Sequence, residues 1–139
     1  MKVFLDTNIL LDVVLVRHPF YVHSLEITDI CTQSLVKGYA SVLSFPTVAY
    51  VTKRGHTLQH MKTCIASLRS IITPVDCTAT ILDQALYSNF KDFEDAMQYF
   101  CARSCGADYL VTRNTEDFVP AEMAVVTPKD FLSIYHSLQ

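Results

Sequence analysis

Apolar and polar positions alternate along this chain in blocks that mark its elements. Val3, Phe4 and Leu5 form a continuous apolar run, Asp6, Thr7 and Asn8 interrupt it, and Ile9, Leu10 and Leu11 resume it at once. Residues 2–5 read as a short buried strand, and a helix follows from Thr7 or Asn8 to about Val16. Pro19 sits where a second helix can begin, and Gly38 reads as its C-terminal stop. Tyr39–Leu43 is a second strand, and Pro46 can occupy the first turn of a helix that reaches Lys53 and ends at Gly55. Thr57 can cap the next helix, with Leu58, Met61, Ile65 and Leu68 on its apolar stripe. Ile71–Val75 is a third strand, followed by a helix through about Tyr87. A helix over Asp92–Cys105 turns Phe93, Met97, Phe100 and Cys101 inward and stops at Gly106. Tyr109–Val111 and Ala124–Val126 are the later strands, and Lys129–Leu138 is a terminal helix. Strands alternating with helices imply a parallel sheet covered on both faces, an α/β sandwich formed by residues 1–139 as one domain.

Composition supports a well-filled core. Half of the 139 residues are apolar, 18% are charged and only three are glycine, which excludes a disordered chain. No apolar run approaches the ~18 residues of a membrane span, and the stretch after Lys2 is too short for a signal peptide. A cytoplasmic protein without a membrane partner is expected. Its five cysteines lack CxxC pairing and read as reduced thiols.

Charge changes the picture further. The net value is −3, but all fourteen acids lie outside Cys31–Val75, while Lys37, Lys53, Arg54, Lys62 and Arg69 lie inside it. An acidic part beside a basic part suits a metal site next to a phosphate-binding surface. A solvated helix surface of accidental sign fits the same pattern.

In open α/β sheets, ligands gather outside the carboxyl ends of the strands. Asp6 leaves the first strand at that edge, and "TRNTEDF" puts Thr112, Asn114 and Asp117 there after the Tyr109–Val111 strand. If those strands are neighbours, carboxylates from the two ends of the chain meet, which is unfavourable unless a cation or proton compensates. Oxygen-only ligands suit Mg²⁺ or Mn²⁺. Asp6 can also serve as a helix cap, although Thr7 or Asn8 alone could cap. Asp92 and Asp95 stand about 60° apart on one helix side, either as ligands or as a cap with a first-turn acid.

"FLDTNILLD", "DFEDAMQYFCARSCGADYLVTRNTEDF" and "AVVTPKDF" together resemble a PIN domain in order and spacing over essentially the whole chain. The resemblance implies a small three-layer α/β/α sandwich with a central, mostly parallel sheet. It also implies a metal-dependent ribonuclease that cleaves single-stranded RNA, as in toxins of bacterial toxin–antitoxin pairs. Asp6, Asp95 and Asp117 take the metal-ligand and catalytic positions, with Asn8, Thr112 and Asn114 in support. The implied partners are RNA, an antitoxin protein and a second copy in a homodimer. Lys53, Arg54 and Lys62 could hold the strand by its phosphates, and Tyr50 could stack on a base, although a place in the core is the commoner outcome for a tyrosine.

One position departs from the family. Many members carry a Glu six residues beyond a Ser at the second strand, where this chain counts from Ser41 to Thr47. Asp12 and Asp92 are the residues available to make up the missing charge. The alternative is therefore a catalytically weakened PIN domain that binds RNA or protein. Haloacid-dehalogenase-like chemistry with Asp6 as nucleophile would need a second Asp where this chain has Asn8.

Overall fold

Five parallel strands build the sheet: β1 (Lys2–Leu5), β2 (Lys37–Ser41), β3 (Ile72–Val75), β4 (Tyr109–Val111) and β5 (Ala124–Val126), in the order β3-β2-β1-β4-β5. The computed structural model describes residues 1–139. Helices α1 (Thr7–Val14) and α2 (Tyr21–Thr32) join β1 to β2, and α3 (Ser44–Lys53) and α4 (Leu58–Ile71) join β2 to β3. The chain then crosses by α5 (Ala79–Leu86) and α6 (Phe93–Ser104) to β4. A 3-10 turn at Thr115–Phe118 leads to β5, and α7 (Pro128–Ser137) follows. This is the expected three-layer α/β/α architecture.

Side-chain alternation on the central strand divides the core. Val3 and Leu5 join Ile9, Leu10, Ile27, Val48 and Phe131 on one face, under α1, α2, α3, α4 and α7. Phe4 points the other way, to Ile81, Tyr99, Ala102 and Leu110 under α5 and α6. A strand buried on both faces has no reason to alternate polar with apolar, and β1 does not. The same alternation carries past the strand ends. Asp6 follows Leu5 and so turns toward α6; its amide still bonds the Val111 carbonyl at 3.0 Å. Thr112 follows Val111 and turns to that same side, while Arg113 turns toward α1, α2 and α7. Chain direction across the sheet reverses between β1 and β4, so Asp6 and Thr112 flank the topological switch point.

Several boundaries differ from expectation. Gly38 does not stop α2, which ends at Thr32, with Ser34 in the left-handed region at φ 60°. It lies inside β2, where a Cβ would fall 2.7 Å from Ile72 Cδ1 and 2.9 Å from Cys31 Sγ. The glycine is there because α2 and β3 close over it. Phe93 is exposed rather than inward, since the buried face of α6 runs through Ala96, Tyr99 and Ala102. On α4 only Leu68 is fully buried, so the expected stripe is mostly a partly covered face.

Candidate active site

Asp6 is the N-cap of α1 and is only 7% exposed. Capping thus falls to Asp6 itself, not to Thr7 or Asn8. Its Oδ1 accepts from the Thr7 amide at 2.7 Å and from Gln98 Nε2 at 3.0 Å, and its Oδ2 accepts from the Thr112 hydroxyl at 2.7 Å. Burial raises its pKa above the ordinary carboxylate value, although the Thr112, Thr7 and Gln98 hydrogen bonds and the Arg113 charge oppose that. Such an arrangement fixes both oxygens in direction while leaving the charge short of compensation.

Gln98 organises the neighbourhood. Its amide nitrogen also donates to Thr7 Oγ1 at 2.9 Å and lies 3.3 Å from Ser44 Oγ, and those two hydroxyls are 2.7 Å apart. Sequence reasoning missed Gln98, Thr7 and Ser44 as site residues because it searched for charge. A signal was present: Gln98 lies three residues beyond Asp95, on the same side of the helix. Thr47 lies one turn beyond Ser44 on α3, exposed, with its hydroxyl 3.3 Å from the Leu43 carbonyl of its own helix.

Asp95 stands one turn before Gln98. Its pKa is pushed up to about 7, first by burial and then by the charges of Asp92, Asp6, Asp117 and Glu94. The expected trio therefore shares one electrostatic neighbourhood, joined by Asp92. Asp92 is also the N-cap of α6, its Oδ1 accepting from the Asp95 amide at 3.0 Å. It shares with Asp117 and Glu116 an opening of about 390 Å³ that Lys91 and Asn89 also line. Asn114 precedes the 3-10 turn, and its amide donates to Thr112 Oγ1 at 3.2 Å. Asn8 Oδ1, two residues from Asp6, is buried with no hydrogen-bond partner.

Other candidates stand apart from this cluster. Asp12 is fully buried and holds Arg113 in a two-point ion pair, Nε to Oδ2 at 2.9 Å and the second nitrogen to Oδ1 at 3.3 Å. Both of its oxygens are taken, so it does not present the free ligand that would make up the missing charge. Lys53 and Arg54 lie at the far end of α3, about 14 Å along the axis from Ser44, and Lys62 projects from α4. Tyr50 is 66% exposed and lies under Arg54, 4.9 Å from its ring centroid, so it is not a core residue.

The donor set is made of oxygens and carries excess negative charge, which suits a hard divalent cation. No three acidic, histidine or cysteine side chains lie close enough to enclose an ion by themselves.

The Asp95 shift has a thermal consequence. Its folded pKa of about 7 stands above the unfolded value of ~3.9, so the folded protein holds a proton that the unfolded chain has released. Stability from this group is complete below about pH 4 and declines as pH rises to about 7. In metal-free buffer Asp95→Asn should flatten that decline in Tm, modestly, because the side chain is partly screened by water. Equal Tm profiles for variant and wild type would show an ordinary carboxyl.

Comparison with known proteins places this geometry. No curated protein sequence matches the chain. A toxin–antitoxin complex from Klebsiella pneumoniae superposes with a TM-score of 0.63 at 24% identity, covering 91% of this chain and 97% of that one. VapBC2 from Rickettsia felis, bound to a DNA fragment from its promoter, gives 0.62 at 17% identity, covering 90% and 97%. VapC20 from Mycobacterium tuberculosis, a sarcin-ricin loop cleaving toxin, gives 0.60 at 13% identity, covering 78% and 86%. These likenesses carry the fold. A family model described as PIN domain matches residues 2–116, and the chain belongs to the PIN domain family.

Proposed function

We propose that this chain is a divalent-metal-dependent endoribonuclease acting on single-stranded RNA, of the toxin type. The observation that supports the reading is the set of acidic charges, Asp92, Asp6 and Asp117, that act on Asp95 and with burial push it up to about 7, beside the β1/β4 switch point that Asp6 flanks. PIN domains are generally nucleases that use divalent metals, and one solved neighbour is itself a sarcin-ricin loop cleaving toxin. Antitoxin complexes among the neighbours favour an antitoxin protein as partner.

Asp6, Asp95 and Asp117 would hold Mg²⁺ or Mn²⁺, with Asn8, Asp92, Thr112 and Asn114 in support. When bound, such an ion lowers the pKa of a water and neutralises charge growing on the attacked phosphate. The chain's own part is orientation: Gln98, Thr112 and the Thr7 amide hold the Asp6 carboxylate from three sides. Lys53, Arg54 and Lys62 would steady a longer strand through its phosphates, with little sequence information in those contacts. Purified protein should cleave a single-stranded oligoribonucleotide with Mg²⁺ or Mn²⁺ and lose the activity in EDTA. A chain that binds RNA without cleaving it at any cation concentration would instead be the weakened, binding-only PIN domain, a reading favoured by Thr47.

Thr47 gives a sharper expectation. Ser44 touches Gln98 from the start of α3, and Thr47 is about 60° round the same helix, one turn on. A carboxylate introduced there adds negative charge at the rim of the cluster, and hard cations gain affinity from ligand charge. Thr47→Glu should tighten Mn²⁺ binding several-fold by calorimetry and lower the cation concentration needed for cleavage. Equal affinities would place residue 47 outside the pocket.

A further inference from the structure

Beside the carboxylate cluster, on the opposite face of the sheet, lies a cavity of about 190 Å³ lined by Phe20, His23, Arg113, Thr127, Pro128 and Lys129. We propose that this cavity is a second phosphate subsite, seating a backbone phosphate of the RNA strand next to the one presented at Asp6. The proposal rests on the nuclease reading above and deepens it.

Position comes first. Arg113 directly follows Thr112, whose hydroxyl bonds Asp6, so one extended step of about 3.8 Å in Cα separates the two sides. Thr127 and Pro128 start α7 just past β5, at the same carboxyl edge of the sheet. Asp6 and this opening therefore lie at one edge of the sheet, on its two sides, with residues 112 and 113 between them.

Charge comes second. The Asp12 pair uses Nε and one terminal nitrogen of Arg113, and the guanidinium lies 4.0 Å from the centroid of the Phe20 ring. The guanidinium is thus held rigidly, with its remaining N–H groups free for an anion. Lys129 takes part in neither of the molecule's two ion pairs. His23 adds a further donor, and α7 turns its positive end to the same space. Two acids lie close by: Asp12 is paired with Arg113, and Asp130 keeps its charge, its Oδ2 accepting from the Thr127 hydroxyl at 2.8 Å, so Lys129 and the free guanidinium N–H groups are what would meet an anion. At about 30 Å³ per water, the cavity holds roughly six waters, room for a phosphate group without displacing protein.

The test is binding without catalysis. A labelled single-stranded oligoribonucleotide is titrated in EDTA against wild type, Lys129→Glu and Lys37→Glu, over a range of salt. Lys129 is exposed, and Glu in the first turn of a helix is favourable, so that variant should fold, which its melting curve checks. Lys37 belongs to the basic stretch in sequence, but it starts β2 beside Lys2, at the amino edge of the sheet and away from the site, so it serves as the control of equal charge change. Lys129→Glu should weaken binding roughly tenfold and flatten the salt dependence by about one phosphate contact, whereas Lys37→Glu should bind like wild type. Equal weakening by both variants, or by neither, overturns the subsite. If wild type cleaves RNA while Lys129→Glu leaves KM unchanged, the subsite falls and the nuclease reading stands. If Lys129→Glu loses RNA affinity as expected but wild type never cleaves with Mn²⁺, the subsite stands and the nuclease reading falls.

Discussion

Asp6→Asn should remove RNA cleavage while leaving the fold intact. The substituted amide can keep its oxygen toward the Thr7 amide and Gln98, and turn its nitrogen toward the Thr112 hydroxyl, which can accept. Burial already disfavours the Asp6 charge, so deleting it should leave Tm equal or raise it. Catalysis is the opposite case. Neutralisation of phosphoryl charge by a bound cation is worth several kcal/mol, so loss of a central ligand should slow cleavage by at least about a hundredfold. Rate and Tm are measured on the same preparation. A variant that melts like wild type and cleaves at full rate would reduce Asp6 to a helix cap.

The local parts of this molecule were readable and the long-range ones were not. β1, β4 and β5 are apolar runs bounded by polar residues, and α6 begins at the expected Asp92 cap. Asp6 and Thr112 could be assigned to one edge because both follow a strand directly. That they meet depends on β1 lying beside β4, a matter of strand order that no local pattern encodes. Gln98 reaches Asp6 across 92 residues and Arg113 reaches Asp12 across 101. Asp12 read as a free acid because its partner is remote in sequence. Gly38 looked like a helix stop because a glycine's need for space depends on Ile72 and Cys31, which only the folded sheet brings near. The charges of the candidate site could therefore be named from sequence, and the neutral framework of Gln98, Thr7 and Ser44 that surrounds Asp6 could not.

That buried pair carries the largest stability expectation. Arg113→Met removes the cation facing Asp12 and leaves a carboxylate of zero exposure without its two hydrogen bonds. Breaking a buried pair from one side costs about 3–5 kcal/mol, because the remaining charge is uncompensated. For a chain of this size Tm should fall by about 10 °C. Arg17 also acts on Asp12 through its charge, which places the loss toward the lower end. The reverse deletion is milder. Asp12→Asn leaves a guanidinium that is 23% exposed and can turn to water. Combining Asp12→Asn with Arg113→Met should recover most of the stability lost in Arg113→Met, since no charge is then buried. The pH dependence has a definite sign. Burial raises the Asp12 pKa even with Arg113 present, and removing Arg113 raises it further, so the variant's deficit should shrink as pH falls and the carboxyl protonates. If Arg113→Met melts with wild type at neutral pH, the pair holds nothing together, and Arg113 is kept rigid by Phe20 alone.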